Sequence, residues 1–234
     1  LIQQMRVGAT SGLAAKYLAR SDAAVLGMVG SGGQARSHAR AFATVRALKT
    51  LKVYSPNVEH RQTYAEEMGR ELRLEAFAVN SAEEAVRGAD IVSACTTSLE
   101  PVIRGQWLSA GAHATKVNAN ELDDDFFRHV DVIIRHQILD TKIYAAGTKE
   151  EAKSTPKATR KGKIFTHGEV PTLDEMILGQ TPGRTSERQV TFFDNNEGNG
   201  LQFATCGALA YQRALERGLG RELPSEWFLQ DLRD

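Results

Sequence analysis

The chain has 234 residues, enough to bury a substantial core without disulfides or a structural metal. Lysine plus arginine and aspartate plus glutamate stand at 29 each, so nothing implies a polyanionic partner, and no nucleic-acid binding is expected. Cys95 and Cys206 are too few for a disulfide framework, no apolar run is long enough for a membrane span, and no signal peptide is visible; a cytoplasmic protein with no membrane partner is expected. The chain opens at Leu1 without a methionine, within a helical stretch that runs to Leu18, and reads as a fragment or a processed chain.

Short apolar strands then alternate with amphipathic helices, which predicts an α/β fold with a doubly wound, mostly parallel sheet. Val25 to Val29 is a buried strand. Gln34 to Leu48 is a helix whose apolar stripe is Ala35, Ala39, Phe42, Ala43 and Leu48. Leu51 to Tyr54 is a strand, Glu59 to Leu72 a helix and Leu74 to Val79 the third strand. Ser81-Ala82-Glu83-Glu84 is a capping box for a short helix that stops at Gly88. Asp90 to Cys95, Ala112 to Val117 and Val130 to Ile134 complete six strands. Beyond Gln137 the pattern weakens, and the charged run Lys149 to Lys163 reads as a solvated loop. A second capping box, Thr172-Leu173-Asp174-Glu175, starts a helix ending near Gly179. A turn at Thr181-Pro182-Gly183-Arg184 and a short strand, Val190 to Phe193, follow. A long helix spans Gly200 to Arg217, and an amphipathic segment surrounds Trp227-Phe228. Residues 1–22 are expected to be the remnant of a second domain, 23–193 a nucleotide-binding domain, and 194–234 a return to the second domain.

The most informative stretch is Val25 to Ala35. Gly30, Gly32 and Ala35 fill a G-x-G-x-x-A turn between a strand and a helix. The first glycine permits the sharp turn, and the second lets a pyrophosphate approach the backbone. The small third residue lets helix and strand pack closely, and the helix N-terminus offers N–H groups to phosphates. Gly30, Ser31, Gly32, Gly33, Gln34 and Ala35 are the candidate phosphate-side residues. At the end of the second strand, where a carboxylate would select NAD(H), the chain reads Tyr54-Ser55-Pro56-Asn57, with Arg61 one helical turn on. Ser55 and Asn57 can donate hydrogen bonds and Arg61 can pair with a phosphate, which favours NADP(H) over NAD(H). A surface arginine is the bland alternative. Thr96, Thr97 and Ser98 follow the fourth strand at the carboxyl edge, where their hydroxyls either touch the cofactor or satisfy their own loop. His38, His60, His113, His129, His136 and His167 have no metal-ligand spacing, and no metal site is expected.

Several segments together resemble the ornithine cyclodeaminase/mu-crystallin family. They are Met5 to Ser11, Ala14 to Leu18, Gly27 to Ala35, Glu84 to Val92, Trp107 to His113, Glu121-Leu122-Asp123, and Gly183 to Ser186 ahead of Val190 to Phe193. The resemblance implies a Rossmann-type domain in a homodimer. It also implies a separate substrate/dimerisation domain, built largely from residues before Leu1. Hydride would move between a nicotinamide and the carbon bearing the substrate nitrogen. Arg6 matches the family arginine that grips the substrate carboxylate, a task suited to a planar guanidinium.

The chain departs from the cyclodeaminase pattern after the fifth strand. There a glycine-rich loop carries an aspartate that handles the substrate amine. Here Lys116-Val117-Asn118-Ala119-Asn120-Glu121 is shorter, with nothing at that aspartate's place. Asn118 and Asn120 could orient a substrate, but an amide is no general base. Asp123 to Asp125 read as the start of a helix, and Glu197 in the late Asp194-to-Gly200 segment is a candidate acid. The expected activity is therefore NAD(P)H-dependent reduction of a small 2-imino acid or cyclic ketimine, or the reverse dehydrogenation. An ornithine cyclodeaminase and a non-catalytic NADP(H)-binding protein are the alternatives.

Overall fold

The computed structural model describes residues 2–136, 143–149, 161–165, 170–195 and 199–228. The elements run α1 (Ile2–Leu18), β1 (Val25–Val29), α2 (Gly33–Val45), β2 (Thr50–Tyr54), α3 (Val58–Leu72), β3 (Glu75–Ala78), α4 (Ala82–Val86), β4 (Ile91–Ala94) and β5 (His113–Lys116). Then come β6 (Val132–Arg135), β7 (Ile143–Lys149), β8 (Lys161–Phe165), α5 (Leu173–Ile177), β9 (Thr191–Asp194) and α6 (Asn199–Glu216). Seven strands form one parallel sheet in the order β3-β2-β1-β4-β5-β9-β6, while β7 and β8 pair antiparallel as a separate ribbon.

Both faces of the sheet are covered. Leu26 and Met28 pack with Phe42 of α2 and with Tyr64 and Met68 of α3. Val29, Val92 and Ala114 pack on the other face with Ala85, Phe126 and Phe192. Strands buried on two faces read as apolar runs rather than alternations, which is the pattern of β1 and β4.

The late strand does not lie at an edge. β9 is inserted between β5 and β6, with Thr191 opposite both His113 and Val132. All four of its residues are buried, and Phe192 and Phe193 belong to clusters on opposite sides of it. Two adjacent aromatics require cover on both faces, and only an interior position supplies it.

α1 lies across α2 through small residues. A Cβ on Gly8 would stand 2.7 Å from the Ser37 carbonyl carbon, and one on Gly12 would stand 2.8 Å from the Ala41 Cβ. The far end of α1 is held by two arginines. Arg46 donates to the carbonyls of Ala15, Lys16 and Ala19, and Arg184 donates to that of Leu18 at 2.6 Å. Apart from that of Ala15, which also accepts from the Ala19 N–H, these are carbonyls that a helix C-terminus leaves without intrahelical partners.

Three local expectations change. Lys149 ends β7 and Lys161 to Lys163 belong to β8, so the ends of the supposed loop are paired backbone, Lys149 opposite Lys161; residues 150–160 lie outside the described residues. Charged composition reports on solvent contact and not on ladder pairing, so it hid the ribbon. Asp123 to Asp125 lead only into a single 3-10 turn, Phe126–His129, with no side-chain cap from Asp125; Asp123 accepts from the Gly105 N–H at 3.1 Å instead. The segment around Trp227 is likewise one 3-10 turn, Ser225–Phe228.

Candidate active site

The glycine turn lies at the carboxyl edge of β1, between the ends of β2 and β4. Gly30 donates its N–H to the Tyr54 carbonyl at 2.7 Å. Its φ is +109°, and a Cβ there would meet the Cys95 carbonyl group, 2.8 Å from the carbon. Gly32 differs. Its φ of −83° suits any residue, yet a Cβ would meet nothing within 4 Å. That open space lies directly before α2, whose N-cap carries no side-chain hydrogen bond. A helix start with uncapped N–H groups, open at Gly32 though covered at Gly33 by the Gln4 amide, fits a pyrophosphate approaching on the Gly32 side. Ala35 is fully buried, and its carbonyl accepts from the Tyr64 hydroxyl at 2.9 Å, holding α2 against α3. Arg36 donates to the Ser31 carbonyl at 2.5 Å and stacks over Tyr64.

Ser31, Ser55 and Arg61 come together at the end of β2. The Ser31 hydroxyl donates to Ser55 Oγ at 3.0 Å, and Ser55 Oγ donates to the Asn57 carbonyl at 3.2 Å. Arg61 is no loose surface arginine. It is buried, donates to the Ser55 carbonyl at 3.0 Å and to Asn80 Oδ1 at 2.9 Å, and lies over Tyr54. The Asn57 side chain takes the bland role: its Oδ1 caps α3 by accepting from the His60 N–H at 2.9 Å.

After β4, the hydroxyls divide. Thr96 Oγ1 donates to Glu121 and accepts from the Ser98 N–H, while Ser98 Oγ donates to the Glu100 carbonyl. Thr96 thus ties its loop to the one after β5, Ser98 satisfies its own loop, and Thr97 is exposed. Their organiser, Glu121, was missed as a site-forming residue. Its carboxylate is fully buried; one oxygen accepts from the Thr96 N–H and hydroxyl, the other from the N–H groups of Val117 and Asn118. Four donors fill the acceptor sites of a carboxylate, so Glu121 shapes the site and has no capacity left to act as a base.

Arg6 lies in α1, buried beneath α6. Nε and Nη2 donate to Gln3 Oε1 at 3.1 and 3.0 Å, Nη1 donates to Gln202 Oε1 at 2.5 Å, and the guanidinium stacks over Phe203. Of its five N–H donors, these bonds leave one on each terminal nitrogen among the described residues, a fork suited to a carboxylate. His136, just past β6, lies within electrostatic reach of Arg6 and Asp174. Burial chiefly lowers its pKa, with Asp174 opposing and Arg6 assisting. His38 does not face phosphates. It is fully buried, with Nδ1 2.8 Å from the Gln34 carbonyl and Nε2 3.0 Å from Ser11 Oγ, and burial pushes its pKa down to about 4. A buried ion pair, Lys116 with Asp194 at 2.9 Å, joins the carboxyl ends of β5 and β9. Glu197 lies outside the described residues. Among the described residues no cluster of histidine, cysteine or carboxylate side chains could hold a metal, and no helix is long and apolar enough to cross a membrane.

Sheet order, helix cover and glycine turn define a Rossmann-type α/β protein. The chain belongs to the ornithine cyclodeaminase/mu-crystallin family, whose profile matches residues 1–216. It is 32% identical over 228 residues to an uncharacterised cyclodeaminase of Sinorhizobium fredii, covering 94% of this chain and 65% of that protein. It is 30% identical to the alanine dehydrogenase of Archaeoglobus fulgidus, covering 94% and 66%. Among solved structures, the Delta(1)-pyrroline-2-carboxylate reductase of Thermococcus litoralis, in complex with NADH and L-proline, superposes with a TM-score of 0.77 at 31% identity, covering 95% of this chain and 68% of that one. The chain thus spans about two thirds of the length of the relatives it matches.

Proposed function

We propose that this chain is the nucleotide-binding part of an NAD(P)H-dependent oxidoreductase acting on a small 2-imino acid or cyclic ketimine, or on the corresponding amino acid. The observation that carries the reading is the conjunction of two features. One is the open approach to α2 at Gly32, where a Cβ meets nothing. The other is the Arg6 fork, tied through Gln202 to Asn195 just past the carboxyl end of β9. A nucleotide and an amino-acid carboxylate would then meet along one edge of the sheet. The nicotinamide, when bound, supplies or accepts the hydride. The chain's part is to fix the carboxylate on Arg6, hold the phosphates at Gly30 to Ala35, and keep the reacting carbons together. Relatives named as reductase, dehydrogenase and cyclodeaminase support that class of chemistry.

NADP(H) is the favoured cofactor. The end of β2 carries Ser55 and Asn57 in place of a carboxylate, and Arg61 is held beside Ser55. A homodimer in the cytoplasm is the expected setting. α6 leaves Leu209, Tyr211 and Leu215 exposed, an apolar face that a second domain or a second copy would cover. A cyclodeaminase is disfavoured because Val117 to Asn120 after β5 carry no carboxylate, and the two beside them are already engaged, Glu121 by four donors and Asp194 by Lys116.

The test is oxidation of NADPH and NADH by the full-length protein with pyruvate plus ammonia and with cyclic ketimines. Oxidation, faster with NADPH, is expected. Nucleotide binding without turnover would instead identify a non-catalytic binding protein, and proline formed from ornithine would restore the cyclodeaminase.

A further inference from the structure

A chain of buried hydrogen bonds runs between Arg6 and the first turn of α2, through residues that no role in the proposed chemistry requires. Its direction can be read from one end. His38 Nδ1 lies against the Gln34 carbonyl, so that nitrogen carries the hydrogen. The ring is neutral in its buried setting, so Nε2 must accept from the Ser11 hydroxyl. Ser11 Oγ therefore has lone pairs for Asn195 Nδ2, 2.9 Å away. Asn195 Nδ2 also donates to the Val7 carbonyl at 2.9 Å, which fixes the amide orientation and turns Oδ1 towards Gln202 Nε2 at 3.3 Å. Gln202 Oε1 then accepts from Arg6. Every donor points the same way, from the guanidinium to the carbonyl of Gln34.

Four elements contribute: α1 gives Arg6 and Ser11, α6 gives Gln202, the end of β9 gives Asn195, and α2 gives His38. Reversing one bond forces its neighbours to reverse or break, because His38 is anchored by a carbonyl that can only accept, and Arg6 can only donate. The arrangement therefore has one state, and the pose of Arg6 depends on the position of α2's first turn.

We propose that Ser11, His38, Asn195 and Gln202 are positioning residues that orient Arg6 from the nucleotide turn, so that nucleotide binding strengthens carboxylate binding. This rests on the reading of Arg6 as the carboxylate-binding residue. The coupling is reciprocal, and a factor of about five or more is expected for a direct mechanical link of this kind.

The experiment uses the full-length protein, NADPH and L-proline as the carboxylate probe. Affinity for L-proline is measured with and without NADPH in the wild type and in Ser11→Ala, Ser11→Thr, Asn195→Ala and Arg6→Ala. Ser11 and Asn195 sever the chain while leaving the glycine turn in place. The expected result is a coupling of about fivefold or more in the wild type, retained in Ser11→Thr and reduced to near unity in Ser11→Ala and Asn195→Ala, with NADPH affinity changed less than about twofold. Nitrogen NMR of the Arg6 guanidinium supplies a second readout should Asn195→Ala unfold: the Nε resonance moves on NADPH addition in the wild type and stays in Ser11→Ala. Coupling that survives Ser11→Ala, or an Arg6 resonance indifferent to NADPH, overturns the proposal while leaving Arg6's role intact. L-proline affinity unchanged in Arg6→Ala, or undetectable in both proteins, overturns the reading of Arg6, and the proposal falls with it.

Discussion

Glu121 and Thr96 are bound to each other twice: one carboxylate oxygen accepts both the Thr96 N–H, at 2.5 Å, and the Thr96 hydroxyl, at 2.8 Å. The other oxygen binds the backbone after β5. Two loops at the carboxyl edge are thereby fixed by one buried charge. Glu121→Gln keeps the shape but turns an NH2 group towards N–H donors. About 3 kcal/mol of stability should be lost, the size expected when charge-assisted bonds are removed and buried donors are left unpaired. Urea unfolding checks this; a loss under about 1 kcal/mol would mean that water or a neighbour replaces the carboxylate.

The two turn glycines should fail differently. Gly30→Ala places a Cβ against Cys95 and forces a left-handed φ on alanine, so both stability and nucleotide binding should fall, stability by about 2 kcal/mol or more. Gly32→Ala meets no protein atom. Its stability should stay within about 0.5 kcal/mol of the wild type while nucleotide affinity drops about tenfold or more, because the new methyl occupies the approach to α2. Calorimetric titration beside thermal unfolding separates the two. Equal nucleotide affinity in Gly32→Ala would remove the phosphate from that space.

This contrast also marks what the sequence could convey. The G-x-G-x-x-A spacing identifies the turn, and the period of apolar residues locates β1, α2, β2 and α3 within a few positions, because both signals are local. The insertion of β9 between β5 and β6 is not local. Strand order depends on which faces must be covered, and only the Phe192-Phe193 pair hinted at it. Asn195 and Ser11 stand 184 positions apart, and Gln202 is 196 from Arg6, so their bonds leave no spacing to read. Glu121 is the first carboxylate after β5, two positions before the Asp123-to-Asp125 run, but its four donors are mostly backbone and invisible to composition.

Acid should weaken the fold before most carboxylates protonate. His38 and His113 are fully buried, and burial pushes their pKa values down from 6.5 to about 4 and about 3. Below about pH 6.5 the unfolded chain binds protons at these residues that the folded chain refuses. Their contribution is therefore complete above pH 6.5 and is lost as pH falls towards 4 and 3. Between pH 6.5 and 5 the loss approaches about 2 kcal/mol for each, from about 1.4 kcal/mol per pH unit. Urea midpoints at the two pH values test the sign, and His38→Gln should flatten part of the slope. A midpoint that rises on acidification contradicts the assignment of both rings as neutral.

The proposed preference for NADP(H) rests on Arg61. Its guanidinium bonds the Ser55 carbonyl and Asn80, so its charge is fixed beside the end of β2. A 2′-phosphate placed there would gain a charge-assisted bond, worth about 1.5–3 kcal/mol, that a free 2′-hydroxyl would not. Arg61→Ala should accordingly reduce kcat/KM for NADPH by about tenfold or more, and that for NADH by less than about twofold. Ser55→Asp should act in the same direction by repelling the phosphate and accepting from the ribose. The two substitutions differ in their structural cost. Arg61→Ala also leaves Asn80 and the Ser55 carbonyl without their partner, whereas Ser55→Asp leaves both bonds available. If Arg61→Ala lowers NADPH and NADH use equally while Ser55→Asp changes neither ratio, Arg61 is a brace for the β2 loop, and the preference for NADP(H) has to be abandoned.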